Sequence, residues 1–389
     1  MNSALVMQSG GCTHVLNRSL YGIASEFAKT GSGTLYGAPN GLEGILRDRV
    51  VNLSAVSHEH WMSVAGAPGA AIGSTRRRLR DDDVEPVFEY LDRLGIRYWF
   101  IIGGNDSAET GHTLQARADE TGYDLSVINV PKTIDNDLVL TDHCPGYGSA
   151  ARFVATAVVG SGLDAEALTG ASPITILEVM GRDAGWLAAA SALARREERD
   201  PPHLVYVPEM LVDEDQFVAD VQDAYTRYGY AVAVVSENAR TADGIIGAES
   251  DPWFVDDFGH EYYDGPARYL AALVSRSLGV RARYEKPGTI QRSLVWAASE
   301  SDVREAEMAG RTAVTAALGG MRDVIVTLER EESTAYKCRT GFAPLDQVGG
   351  KVRPMPEEYL SPSDNFVTDA FIEYLKPLAG DIPHFRRLM

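Results

Sequence analysis

The chain has 389 residues, 45% of them hydrophobic and 23% charged, and its 36 basic against 55 acidic residues give a formal net charge of −19. This composition excludes a disordered chain, a collagen-like repeat and a coiled coil, and the length suits two lobes or one large α/β unit. The acidic balance repels nucleic acid, anionic lipid and phosphorylated small molecules at long range, so any phosphate has to be held by local donors: glycine-rich backbone, helix N-termini and single Arg or Lys side chains. Three cysteines, Cys12, Cys144 and Cys338, with no C-x-x-C pair, argue against a disulfide framework. With no basic n-region at the start and no run of about 18 apolar residues, the expectation is a cytoplasmic protein with no membrane and no nucleic-acid partner.

Short apolar, β-branched or aromatic runs recur at Ala4–Met7, Tyr98–Ile102, Ser126–Val130, Ile174–Val179, Leu204–Val207, Ala231–Val235, Ser293–Ala297 and Asp323–Leu328. Several are apolar at nearly every position, as parallel strands covered on both faces are. Helical spacing fills the intervals at Ser149–Val159, Ala184–Arg196, Asp213–Arg227 and Asp302–Leu318. The alternation predicts a doubly wound α/β fold. The acidic, aromatic segment Glu249–Tyr263 reads as a loop or a lid, and the last 50 residues as a closing arm with one more helix near Phe366–Leu375.

Ligands of open parallel sheets bind beyond the carboxyl ends of the strands, so the residues after each strand carry the chemistry. Gln8-Ser9-Gly10-Gly11 follows the first strand; it is a phosphate cradle or a plain tight turn. The run Arg76-Arg77-Arg78-Leu79-Arg80 follows Gly73-Ser74-Thr75, and one of its arginines is expected on a phosphate. Gly103-Gly104-Asn105-Asp106-Ser107 is a second glycine pair, with a helix cap as its bland reading. Lys132-Thr133-Ile134-Asp135-Asn136-Asp137 is the densest cluster, with a turn of Asx residues as its bland reading. If extended, it turns Thr133, Asp135 and Asp137 to one side, where one carboxylate removes a proton and the other helps to hold Mg²⁺. Gly181 and Arg182 follow the Ile174–Val179 run as a phosphate or hydroxyl site or a helix start, Glu237 follows Ala231–Val235, and Arg283 and Arg292 flank a Pro-Gly turn that either gives both guanidiniums a route to one phosphate or is a surface charge cluster. Two glycine cradles, a carboxylate pair and scattered arginines point to phosphoryl transfer onto a phosphorylated acceptor.

Taken together, QSGG at 8–11, YGAPNGLEGIL at 36–46, GSTR at 73–76, GGNDS at 103–107, PKTIDND at 131–137, GYGSA at 146–150, EVMGRDAGWLA at 178–188 and PGTIQRS at 287–293 resemble the phosphofructokinases, and within them the pyrophosphate-dependent branch. The resemblance spans nearly the whole chain; TIDND with MGR is specific, the glycine pairs alone are not. It implies two Rossmann-like doubly wound lobes. One is a donor lobe of residues 1–147 plus about 293–330, the other a sugar-phosphate lobe of 148–292 plus about 331–389. It further implies Asp135 as the base for the sugar's 1-hydroxyl, with Thr133 and Asp137 as its partners. Met180, Gly181, Arg182 and Glu237 match positions on the sugar, and Arg283 and Arg292 match arginines on its 6-phosphate. The Arg283 position is typically supplied across a subunit interface, so a homodimer or homotetramer is expected. Gly11, Arg76, Gly104 and Ser107 match the donor side, and Asp106, Asp137 and Asn105 the Mg²⁺ site.

Donor choice has a physical argument. ATP users carry Gly at the Asp106 position, leaving room for an α-phosphate, and commonly Gly at the Lys132 position. A carboxylate at 106 opposes that phosphate, while the Lys132 ammonium pairs with a terminal one. Pyrophosphate and fructose 6-phosphate are therefore the expected substrates. Against this stand an ATP-dependent enzyme on the same fold, a lipid or NAD kinase, and a non-catalytic regulatory subunit. The chain departs from the pattern at Asn105, usually acidic, at Pro173, where many ATP users have an interface arginine, and at Thr289, commonly His or Tyr. The last two leave room for a longer acceptor such as sedoheptulose 7-phosphate.

Overall fold

The structure is a computed structural model, described for residues 2–248, 252–255, 259 and 261–388. Its strands are β1 (Ser3–Ser9), β2 (Leu35–Gly37), β3 (Val51–Asn52), β4 (Ser74–Thr75), β5 (Ile96–Gly103), β6 (Ser126–Pro131), β7 (Ile174–Val179), β8 (Leu204–Tyr206) and β9 (Ala231–Ser236). They continue with the hairpin of β10 (Arg240–Thr241) and β11 (Gly244–Ile245), the hairpin of β12 (Phe254–Val255) and β13 (Glu261–Tyr262), β14 (Ala282–Glu285), β15 (Val324–Arg330), β16 (Cys338–Pro344) and the short antiparallel pair β17 (Leu360–Ser361) and β18 (Phe366–Val367). One sheet runs β16-β15-β6-β5-β1-β2-β3, with β4 also paired to β1; a second runs β14-β7-β9-β8 and is parallel throughout.

All seven residues of β1 are buried because the strand is covered on both faces. Ala4 and Val6 turn to one core with Phe100 and Ile102 of β5, under the helices Leu16–Ala28 and Glu300–Leu318. Leu5 and Met7 turn to the opposite core with Trp99 and Ile101, against the helix Asn105–Thr121. The period of two along adjacent strands thus builds two apolar layers at once. The helices Leu16–Ala28 and Glu300–Leu318 cross so closely that a Cβ on Gly310 would lie 2.2 Å from the carbonyl oxygen of Ser19.

The second sheet packs under Tyr147–Ala167 and the short helix Trp186–Ala190, and the C-terminal helix Asp369–Ala379 inserts Phe371, Leu375 and Leu378 into the same core. The helix Tyr147–Ala167 begins at Gly146, which has no side chain to cap it. Its free N–H groups are taken by a residue far along the chain: Asp302 Oδ1 accepts from Gly146 N at 2.8 Å, and Oδ2 accepts from Ser149 N at 3.0 Å and Ser149 Oγ at 2.5 Å. No helix among the described residues is long and apolar enough to cross a membrane.

Three expectations change. Residues 293–297 are not a strand: Pro287 starts a 3-10 turn over Gly288–Arg292, a second follows at Val295–Ala297, and Leu294, Val295 and Trp296 are exposed. An apolar run directly after a Pro-Gly turn imitates a strand, but the chain is coiling to bring Arg292 inward. The helix foreseen over Ala184–Arg196 is α-helical only at Trp186–Ala190 and tightens to 3-10 at Ser191–Ala194. The C-terminal helix begins at Asp369, later than its expected start. In the first sheet β16 pairs antiparallel with β15, Arg330 opposite Cys338. Of the segment 249–263, residues 252–255, 259 and 261–263 are described, and the rest lies outside the described residues.

Candidate active site

In the first sheet the strand order reverses around β1 and β5, and a cleft of about 320 Å³ opens beyond the carboxyl ends of β1, β5 and β6 and faces those of β7 and β9. Every residue expected to act in catalysis, in substrate binding or on the metal lines it except Gly181 and Arg283. A larger hollow of about 990 Å³ along Glu300–Leu318 shares no residue with it and contains neither glycine loop.

The donor side is built from the three strand ends. After β1, Gly10 and Gly11 leave space for two cations. A Cβ on Gly10 would lie 3.0 Å from Lys132 Nζ, and one on Gly11 would lie 2.1 Å from Arg292 Nη1. After β5, the helix Asn105–Thr121 opens onto the cleft from Gly104, with Ser107 in its first turn. Asn105 turns its amide oxygen to the backbone N–H of Asp106 at 2.8 Å, while the Asp106 carboxylate lies 3.7 Å from Arg78 Nη2. The arginine run divides its work. Arg77 holds Asp83 through one Nη2 at 2.6 and 2.9 Å, Arg78 faces Asp106, and Arg76 enters the cleft.

After β6 the chain does not stay extended. Asn136 has φ +55°, a left-handed conformation that Asn tolerates better than most residues. The resulting turn curls Thr133 Oγ1 onto Asp137 Oδ1 at 3.0 Å and lets it accept the N–H of Asp135 at 3.1 Å. Thr133, Asp135 and Asp137 still share the cleft, through this turn rather than through strand alternation. The Asn136 side chain is spent on holding it, donating to Tyr374 Oη at 3.0 Å and accepting from Cys144 N at 3.0 Å. From behind, Arg353 donates to the Asn136 carbonyl at 2.7 Å and to those of Thr141 and Asp142 at 2.5 and 2.8 Å, with its guanidinium 4.6 Å over the Trp186 ring.

The acceptor side comes from the second sheet. Met180 N donates to the buried Gln291 Oε1 at 3.0 Å, and Gly181 N to Glu237 Oε1 at 3.2 Å. Gly181 therefore acts on the wall, positioning Glu237, whose Oε1 also lies 4.0 Å from Arg182 Nε. Arg283 does not reach the cleft: it pairs with Asp164 at 2.5 Å on β14, so two guanidiniums of one chain do not converge there. Tyr262 joins the two sides. Its hydroxyl accepts from Arg76, and Arg182 sits 5.0 Å over its ring.

Burial sets the electrostatics. It lifts Asp135 to about 7, with the carboxylates of Asp137 and Glu237 adding to the rise and Arg182 and Arg292 opposing it. Asp137 is also raised, by burial, against its hydrogen bond from Thr133. Lys132 is lowered to about 8, by burial first and the charge of Arg292 second. A carboxylate and an amine both brought close to neutrality are suited to proton transfer and phosphate binding.

Sequence reading missed Tyr262, Gln291 and Arg353. Gln291 stood inside a quoted motif and Tyr262 inside the acidic, aromatic segment. Arg353 carried no signal, because its partner Asn136 is 217 residues away.

A phosphofructokinase family profile matches residues 3–317. The chain is 39% identical over 383 residues to pyrophosphate–fructose 6-phosphate 1-phosphotransferase of Rhodospirillum rubrum, covering 97% of this chain and 94% of that one. It is 36% identical over 394 residues to the enzyme of the same name from Halomonas elongata, covering 99% and 94%. The crystal structure of pyrophosphate-dependent phosphofructokinase from Nitrosospira multiformis superposes with a TM-score of 0.89 at 33% identity, covering 100% of this chain and 95% of that one. Strand order, cleft and these similarities over nearly full length agree: the chain belongs to the phosphofructokinase family.

Proposed function

We propose that the cleft carries out reversible transfer of a phosphoryl group from pyrophosphate to the 1-hydroxyl of fructose 6-phosphate. The observation that carries the donor assignment is the cleft-lining pair Asp106 and Lys132, beside relatives whose names specify pyrophosphate. An ATP α-phosphate would have to settle against the Asp106 carboxylate, whereas a two-phosphorus donor stops short of it and meets the Lys132 ammonium.

Asp135 accepts the proton of the attacking hydroxyl, and a carboxylate lifted to about 7 is a stronger base than an ordinary one while still partly ionised at neutral pH. Backbone near Gly11 and Gly104 and the side chains of Arg76 and Ser107 hold the donor oxygens. Met180, Arg182 and Glu237 hold the sugar, and Arg292 takes its 6-phosphate. The carboxylates of Asp106 and Asp137 line the cleft together with the amide of Asn105. That donor set fits Mg²⁺, which is usually held by one or two carboxylates together with substrate phosphates and water. Asp106 and Asp137 would hold it, with Asn105 at the edge, and when bound it neutralises charge on the transferred group. The Arg283 assignment rests on a second copy of the chain, as a homodimer or homotetramer would supply; a cytoplasmic setting goes with these substrates.

Purified protein with Mg²⁺ and fructose 6-phosphate is expected to turn over with pyrophosphate. Turnover with ATP and none with pyrophosphate overturns the donor assignment. Thr289 lines the cleft with a small side chain and favours a second reading, in which a longer acceptor such as sedoheptulose 7-phosphate is used. Comparing kcat/KM for the two sugars decides between them.

A further inference from the structure

Behind the catalytic turn lies a second constellation that the reaction does not use. His143 and Glu305 are buried, and Nε2 of His143 lies 2.7 Å from Glu305 Oε2. With Cys338 Sγ they form, among the described residues, a group whose ligand atoms all lie within 4.8 Å of one another. Asp142 Oδ2 lies 2.7 Å from Nδ1 of His143 and so fixes which ring nitrogen points at the group. That is the carboxylate–histidine arrangement found behind metal-bound imidazoles. Tyr336 Oη stands at the same place, 3.3 Å from His143 Nε2 and 2.8 Å from Glu305 Oε1.

We propose that His143, Glu305 and Cys338 form a site for a soft divalent transition-metal ion of the Zn²⁺ type, separate from the Mg²⁺ chemistry of the cleft. One nitrogen, one carboxylate oxygen and one sulfur are a ligand set that zinc accepts and Mg²⁺ does not. Tetrahedral zinc needs these atoms about 3.3–3.6 Å apart, so the imidazole and carboxylate part slightly and the thiol swings inward, movements of about an ångström. Tyr336 Oη or water takes the fourth position. On binding, the Cys338 thiol proton and the proton shared between His143 and Glu305 leave to solvent. One thiolate and one carboxylate then neutralise the ion, while the charge of Asp142 stays balanced by Arg330 at 3.4 Å. Entry is from the hairpin of β15 and β16, where Tyr336 and Cys338 are half-buried. The ion would tie together the segment leaving the catalytic turn, the helix Glu300–Leu318 and the edge of the first sheet.

The test uses the full chain carrying Cys12→Ser, which removes the thiol of the cleft, in excess Mg²⁺. One equivalent of Co²⁺ is expected to produce a thiolate-to-cobalt charge-transfer band, which Zn²⁺ abolishes by displacement, and to raise the thermal midpoint. Adding Cys338→Ser is expected to remove the band and the thermal shift while leaving the metal-free midpoint and circular dichroism unchanged. Absence of the band in the first protein, or its survival in the second, overturns the proposal.

Discussion

Arg292 Nη1 stands 2.1 Å from the point where a Cβ would leave Gly11, so the guanidinium assigned to the sugar phosphate rests against the backbone of the donor loop. The first glycine pair thus serves both substrates: it clears the approach for one phosphate and seats the cation for the other. Gly11→Ala should push Arg292 out of line and raise KM for the sugar phosphate about tenfold, with the melting midpoint nearly unchanged. Steady-state kinetics beside a thermal melt checks this; an unaltered KM would detach Arg292 from that role.

Asp135→Asn removes the proton acceptor and should lower kcat by at least about a hundredfold with little change in substrate binding. In the unaltered enzyme the rate should fall as pH drops below about 7, because the base is then protonated. Stability moves the other way. The folded-state value lies above the ordinary carboxylate value, so the folded chain holds an extra proton between the two and loses stability as pH rises through that window. Asp135→Asn should therefore melt higher than the parent at pH 8, and a lower midpoint there would refute the assigned burial cost.

Lys132→Gly should raise KM for pyrophosphate by about tenfold or more before it affects the sugar phosphate. Burial brings the Lys132 ammonium down to about 8, so in the free parent enzyme pyrophosphate affinity should weaken as pH climbs past that value and the charge is lost. A selective loss of sugar affinity in the variant would contradict the assignment.

Asp302→Ala strips three charge-assisted hydrogen bonds from the start of Tyr147–Ala167 and should destabilise the fold by about 3 kcal/mol or more. Asp302→Asn should recover part of the loss, since its amide oxygen can still accept one or two of the bonds. Denaturant melts of the three proteins measure both effects.

The legible part of this protein is the part written locally. β1, β5, β6, β7 and β9 announce themselves because strands covered on both faces are apolar at nearly every position, and the glycine, carboxylate and arginine clusters follow them directly. The misread part is where local pattern and global demand diverge. Ser293–Ala297 has the apolar look of a strand, yet it coils because Arg292 has to enter the cleft. Thr133, Asp135 and Asp137 look as though alternation aligns them, yet a left-handed Asn136 does so.

Residue order was enough to place the ligand-bearing loops, because hydrophobic periodicity and the residues that end each strand are short-range properties. Folding had to supply the rest. Asn136 is held in its left-handed conformation by Tyr374, Cys144 and Arg353, Arg283 is turned away by Asp164, and Tyr262 spans Arg76 and Arg182. All but the Asn136–Cys144 bond join positions far apart along the chain. Only once the two sheets have closed over the cleft does burial raise Asp135 and lower Lys132 towards neutrality.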